Sequence, residues 1–316
     1  MPDAAAGLPR VIAILGPTAS GKSALAVELA GLLAERMDQP AEVVGTDSMQ
    51  AYRGMDIGTA TPTEQERRGI RHHLVDAWDM AHPLTAAEFQ AHARSAIDAI
   101  RARGRVPIVV GGSGLYVAAV LDDLRFPGTD PAVRARLEGE LARVGAAALH
   151  ERLRTLDPAA AGQVLPGNGR RIVRALEVIE ITGQPFAATL PEPESVYPCV
   201  RVGLDIPRAR LDERIERRVV RMWQDGLVDE VRALAARGLA SAPTASRALG
   251  YAQALGFLSG ECSEDEAIRR TVDATRAFAR RQQRWFRRDD RIRWLAYDSP
   301  SLASDALLAW GSATDT

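Results

Sequence analysis

The sequence predicts an α/β fold, a parallel sheet flanked by helices and interrupted by an all-helical insertion. Three observations lead there. Short apolar runs at 11–15, 41–45 and 106–110 alternate with stretches of helical spacing. Each run ends in a segment rich in Gly, Ser, Thr or Asp, as expected where the carboxyl ends of parallel strands carry function. From Phe126 to about Gly183 the strand signal disappears and Arg, Glu and Ala dominate.

In chain order, Arg10 to Leu15 reads as a buried strand and Ser23 to Ala30 as the start of a helix. A second strand, Ala41 to Gly45, ends at Thr46-Asp47-Ser48-Met49-Gln50. Helical spacing runs from Leu84 to Arg103, and the strand Val106 to Val110 leads into Gly111-Gly112-Ser113-Gly114. Strand–helix–strand alternation of this kind implies right-handed crossovers and a parallel sheet. In the insertion, Pro131 to Arg143, Ala146 to Thr155 and Arg170 to Glu180 read as helices, broken at Asp157-Pro158 and at 166–169. A Pro- and Glu-rich loop over 185–198 then leads to a strand, Cys199 to Asp205. Long helices follow to Asp290, with a last short strand at 292–295. The predicted division is 1–124 with 186–316 for the core and 125–185 for the insertion.

The junction of first strand and first helix carries Gly16-Pro17-Thr18-Ala19-Ser20-Gly21-Lys22-Ser23, a complete P-loop pattern of the ATP-binding type. Glycines let the backbone wrap an anion, loop N–H groups and the helix N-terminus point at it, and Lys22 adds a point charge. Ser23 stands where a P-loop hydroxyl holds Mg²⁺. The core is therefore expected to be P-loop NTPase-like and to take a di- or triphosphate. Of the 40 basic residues, Lys22 is the one lysine. A composition that replaces Lys with Arg elsewhere keeps it here, where a compact ammonium and a planar guanidinium are not interchangeable.

The bulk numbers exclude little else. A net charge of −1 hides its distribution. Cys199 and Cys262 stand far apart without ligand-spaced neighbours, against a disulfide scaffold or zinc site and in keeping with a reducing, cytoplasmic setting. The apolar run at 11–15 is too short for a membrane span. Ten arginines fall between Arg269 and Arg293, interleaved with Trp285, Phe286 and Trp294. Such a segment can be a solvated helix face, or it can track a phosphate backbone and offer planes for bases to stack on.

Several segments resemble the tRNA dimethylallyltransferase family, the isopentenyltransferases that modify the adenosine just 3′ of the anticodon. These are the P-loop, the block at 47–60 beginning Asp47-Ser48-Met49-Gln50, His72-His73-Leu74-Val75-Asp76 and Gly111-Gly112-Ser113-Gly114-Leu115-Tyr116. The segments at 171–178, Arg214-Ile215-Glu216-Arg217, Gly250-Tyr251-Ala252-Gln253 and 281–287 follow in the family's order. The sequence departs at Ser113, Arg170, Ala252 and Arg284, where the family usually has Thr, Gln, Arg and Thr. The last three weaken any carry-over of RNA contacts.

The resemblance implies attack of adenine N6 on C1 of dimethylallyl diphosphate, with Mg²⁺ present and diphosphate leaving. It implies Asp47 as general base and Thr18, Lys22, Arg171 and Arg217 as catalytic groups around the diphosphate. It also implies tRNA contacts from Asp47, Ser48, Met49, Gln50, Ser113, Arg134, Arg170 and Arg171. Further contacts are expected from Arg247, Gly250, Tyr251, Arg280, Arg281, Gln282 and Trp285. The insertion would grip the anticodon stem, and the protein is expected to act as a monomer with no membrane partner. A P-loop small-molecule kinase with Asp47 as base shares the phosphate site but leaves the arginine-rich segment unused. A nucleotide-gated RNA-binding protein would not need a base beside the loop.

Overall fold

The protein is described here from a computed structural model covering residues 8–186 and 194–312. It forms two compact units, divided after Asp122 and after Glu194. The sequence reading set those edges at 124/125 and 185/186. The difference has a backbone cause, since Asp122 and Ser195 pair as an antiparallel bridge and so belong with the sheet-bearing unit. Residues 187–193 of the Pro- and Glu-rich loop lie outside the described residues.

The first unit begins with β1 (Val11–Leu15), α1 (Lys22–Met37), β2 (Ala41–Gly45), α2 (Glu64–Arg67), β3 (His72–His73), α3 (Ala86–Ala102), β4 (Val106–Gly111) and α4 (Gly114–Leu121). The second unit holds α5 (Pro131–Leu156), α6 (Pro158–Gln163) and α7 (Gly169–Thr182). The first unit resumes with β5 (Cys199–Asp205), α8 (Arg208–Gln224), α9 (Leu227–Ala236), α10 (Tyr251–Leu258), α11 (Glu264–Phe286), β6 (Ile292–Ala296) and α12 (Leu302–Gly311).

The six strands form one sheet in the order β3-β2-β4-β1-β5-β6, every pair parallel. The predicted fold class, a parallel α/β sheet with a helical excursion, is the observed one. Central β1 is buried along its whole length because both faces are covered. Ile12 and Ile14 pack with Leu25, Leu29 and Leu33 of α1, while Val11, Ala13 and Leu15 join the core beneath α3, α4 and α8. That alternation is the period of two that a strand imposes on its side chains. The sequence reading gave no element after 295. There α12 sets Ala303, Ala306 and Leu307 into the α1 side of the core, small residues whose short apolar stripe carried little signal.

The second unit has its own core, in which Leu137, Leu149 and Leu153 of α5 meet Ile172, Val173 and Leu176 of α7. Inside α5 the chain breaks helical geometry at Gly145 (φ 81°, ψ 166°). A positive φ suits glycine there, and it separates the two helices read from the sequence. Among the described residues no helix is long and apolar enough to cross a membrane.

Candidate active site

Three strand ends meet on one rim. β1 runs into the P-loop, where Gly16 (φ +145°) and Gly21 (φ +106°) take backbone conformations that L side chains rarely adopt. β2 runs into Thr46, whose N–H and hydroxyl both donate to the Val110 carbonyl, at 2.8 and 3.0 Å. This fixes the direction in which Asp47 leaves the sheet. A Cβ at Gly111 would come 2.0 Å from Thr46 Oγ1, so the glycine at the end of β4 is what lets β2's end approach.

Asp47 is exposed, and its Oδ1 accepts from the Met49 N–H at 2.9 Å. It is close enough to Lys22 and Arg218 to favour the charge of both. Ser48 is buried and bonds the Tyr116 hydroxyl, which burial pushes above its ordinary pKa. Gln50 Nε2 donates to the carbonyls of Thr59 and Ala60 at 3.1 and 3.3 Å, folding the 47–60 block onto itself.

Lys22 Nζ donates to the Pro17 carbonyl at 2.6 Å. Its pKa is pushed down to about 7, chiefly by burial and then by the nearby Arg218, with Asp47 working against the fall. α8 supplies the remaining cations. Arg214 Nε donates to the Ala19 carbonyl at 2.7 Å, and Arg218 reaches Thr18 Oγ1 and the Thr59 carbonyl, each at 3.3 Å. Lys22, Ser23, Arg214, Arg217, Arg218 and Arg221 line a cleft of about 1210 Å³ that continues to Gln65 and Glu66. A concave site with this many fixed cations selects a polyanion.

From the other side, Gln282 of α11 accepts the Thr18 N–H at 2.8 Å. Two glycines allow this approach. A Cβ at Gly112 would lie 2.7 Å from Gln282 Nε2, and one at Gly114 would lie 2.0 Å from Trp285 Cδ1. α11 thus rests on the end of β4 and holds the P-loop from above. For Mg²⁺, the donor set fits a cation shared with phosphate oxygens: Ser23 is exposed, and its hydroxyl makes no hydrogen bond among the described residues. Hard oxygen ligands and phosphate are what Mg²⁺ prefers.

A family model described as IPP transferase matches residues 50–289. The tRNA dimethylallyltransferase of Thermobifida fusca is 63% identical over 296 residues, 94% of this chain and 92% of that protein. That of Salinispora arenicola is 62% identical over 95% of this chain and 86% of its own. The chain belongs to the IPP transferase family. The crystal structure of the tRNA isopentenylpyrophosphate transferase of Bacillus halodurans superposes with a TM-score of 0.69 at 38% identity, covering 96% of each chain. A eukaryotic dimethylallyltransferase captured acting on tRNA superposes at 0.79 with 25% identity, over 95% of this chain and 78% of that one.

Within this family member, the structure sorts the residues singled out from sequence. It brings Gly16 to Ser23, Asp47, Ser48, Met49, Gln50, Ser113 and Gln282 into the sheet-bearing unit's rim. Three residues that the resemblance assigns to RNA are buried in this structure. Tyr251 is fully buried with its hydroxyl donated to Glu230 at 2.5 Å, and Gly250 is buried at the start of α10. Gln282 is 5% exposed and spends its carbonyl oxygen on Thr18.

Arg217 is exposed on the cleft wall, whereas Arg218 and Arg214 touch the loop. A signal for this was present. Leu211, Ile215 and Met222 mark the buried face of α8, and Arg218 continues their spacing of four, three and four, while Arg217 does not. Arg247, Arg280, Arg281 and Trp285 are exposed, the last at 37%. In the second unit Arg170 and Arg171 are exposed on α7, and Arg134 is held by the buried Glu177 at 2.5 Å. Burial alone would raise the Glu177 carboxyl, but Arg134, Arg174 and the Asp130 N–H outweigh it and hold the group below its ordinary range.

Proposed function

We propose that this enzyme transfers the dimethylallyl group of dimethylallyl diphosphate to N6 of the adenosine just 3′ of the anticodon in tRNA. The observation that carries the reading is a carboxylate, Asp47, on the same rim as a P-loop ringed by Lys22, Arg214 and Arg218. The relatives named above are tRNA dimethylallyltransferases by name, and most of the 47–60 block falls within the matched region.

N6 is a weak nucleophile because its lone pair is delocalised into the ring. As the N6–C1 bond forms and the C1–O bond breaks, one N6 proton must leave. Asp47 takes it, a general-base contribution of about 10²–10⁴. The electron pair of the broken bond goes to the diphosphate. Its new charge meets the loop N–H groups, Lys22 and Arg218, preorganised so that no rearrangement is needed at the moment of reaction. The Thr18 hydroxyl, already held by Arg218, is placed to donate to a leaving-group oxygen. Ser23 would hold Mg²⁺, which would supply further charge neutralisation.

The adenine reaches Asp47 after leaving its stack in the anticodon loop, at a cost of a few kcal/mol. The exposed arginines near the end of α11 and Trp285 suit the loop's phosphates and bases. The helical unit, which presents Arg170 and Arg171 to solvent, is assigned to the anticodon stem. The deciding assay offers bulk tRNA with either labelled dimethylallyl diphosphate or γ-labelled ATP. Label from the prenyl donor should enter RNA with Mg²⁺ and without ATP. Steady ATP turnover coupled to product would replace this function with that of a kinase.

A further inference from the structure

Glu230, on α9, lies outside the phosphate site yet carries an unusual load. Its Oε2 accepts from the N–H groups of Ile57 and Asp56 at 2.8 and 3.1 Å. Its Oε1 accepts from the Gly58 N–H at 3.4 Å and from the Tyr251 hydroxyl at 2.5 Å. Three consecutive amides and one phenol thus converge on one carboxylate, the arrangement by which a turn of backbone binds an anion. The fit is close on the other side too. A Cβ at Gly58 would meet the Tyr251 ring at 2.3 Å, so the ring, the glycine and the carboxylate set one another.

The turn they hold ends in Thr59. Its hydroxyl is held by the Met55 carbonyl at 2.5 Å, and its own carbonyl accepts from Arg218 and Gln50. Arg218 uses its other terminal nitrogen on Thr18 Oγ1. A guanidinium is a rigid planar fork, so fixing one prong on Thr59 fixes where the other prong points. We infer that Glu230 is a positioning residue for the diphosphate site, acting through the Asp56–Thr59 turn to aim Arg218 at the P-loop. The inference rests on the proposed function for its substrate, though not for its geometry.

The turn has no regular ladder of its own to replace what Glu230 supplies. Glu230→Gln offers one acceptor in place of two and turns an N–H₂ toward backbone donors. The resulting misalignment should weaken the contacts that Arg218 makes with the anion. The probe is inorganic diphosphate with Mg²⁺, titrated calorimetrically into the full chain, alongside steady-state kinetics for both substrates.

Glu230→Gln should weaken diphosphate about tenfold, the scale of one charge-assisted contact, and raise KM for dimethylallyl diphosphate equally. KM for tRNA should stay within about twofold. Tyr251→Phe keeps the ring against Gly58 and removes one donor, so it should move the same quantities in the same direction by less. It carries the test should Glu230→Gln fail to fold. In an Arg218→Ala background, Glu230→Gln should add nothing to the loss of diphosphate affinity.

Additive losses in the double variant would overturn the proposal. So would a lowered melting temperature with unchanged diphosphate affinity, the mark of a merely structural carboxylate. A fall in kcat alone, as from a smaller active fraction, would overturn it equally. Should the wild-type protein transfer no prenyl group while Glu230→Gln still weakens diphosphate, the function would fall and the role of Glu230 would stand.

Discussion

Two arginine-rich helices border the P-loop, and they spend their charge differently. On α8, Arg214 and Arg218 turn inward and bind P-loop atoms through Ala19 and Thr18. On α11, the first half is neutralised. Arg269 and Arg270 pair with Glu266, and Arg276 pairs with Glu216 of α8 at 2.8 Å. Beyond it, Arg280, Arg281, Arg284 and Arg288 are exposed, with no acidic partner among the described residues. Arg287 is taken up by Asp205 and lies 4.0 Å over the Trp294 ring. Arginine content alone therefore names no ligand. Helix register decides whether a guanidinium turns to the P-loop or to solvent.

The sharpest way to break this contrast is Arg218→Ala. Single-turnover transfer should slow by about 10²–10³, as when one preorganised donor to developing charge is removed, while tRNA affinity stays within about threefold. If tRNA affinity fell instead, the inward helix would be an RNA-binding one and the distinction would go. Asp47→Asn keeps shape and hydrogen-bonding size but removes the basic site. Turnover should drop by about 10² with both affinities held within about tenfold. Near-normal turnover would mean that the proton leaves to water or to the departing diphosphate.

Lys22 gives a pH test of the inward set. With its pKa brought down to about 7, it is charged below that pH and mostly neutral above it. Because the charged form binds the anion, the part of diphosphate affinity owed to Lys22 should be steady below pH 7. It should then fall by up to about tenfold per pH unit above. Binding at pH 8 should take up a proton, read as a dependence of the calorimetric heat on buffer ionisation enthalpy. Heats that do not vary with buffer would remove Lys22 from the anion's charge balance.

Arg280→Ala tests the outward set. It should weaken tRNA several-fold and make the salt dependence shallower by about one unit of slope, with KM for dimethylallyl diphosphate unchanged. An unaltered slope would make the exposed arginines of α11 a solvated face. The smallest effect is expected at Arg217→Ala, which should alter kcat and both KM values by less than about threefold. A loss like that of Arg218→Ala would place Arg217 in the catalytic set, as the resemblance implied.

What could be read in advance follows from how local each signal is. The strands of β1, β2, β4 and β5 are apolar runs whose burial on both faces leaves a continuous imprint, and the P-loop binds through backbone that its glycines announce. The position of Asp47 on the rim was legible because it follows a strand directly, while its role as base came only from the resemblance. The burial of Tyr251 and Gln282 was not legible because their partners, Glu230 and Thr18, lie 21 and 264 residues away, and a polar side chain satisfied in the interior looks like one offered to a ligand. Glu230 itself gave no sign. Its meaning lies in three amides of a distant turn, and main-chain donors have no letter in a sequence. The inward turn of Arg218 was legible in the spacing of Leu211, Ile215 and Met222, which a motif match at Arg217 obscured.

A chain whose one lysine sits in its phosphate loop also has a built-in chemical reporter. Apart from the α-amino group, Lys22 is the one primary amine an acylating or reductively methylating reagent can find. Brought down to about 7, it is substantially unprotonated, hence nucleophilic, where ordinary lysines are not. Brief labelling near neutral pH would mark a single side chain. Protection of that side chain, or the shift of a ¹³C-methyl resonance on it, would register occupancy of the loop directly, with no engineered probe.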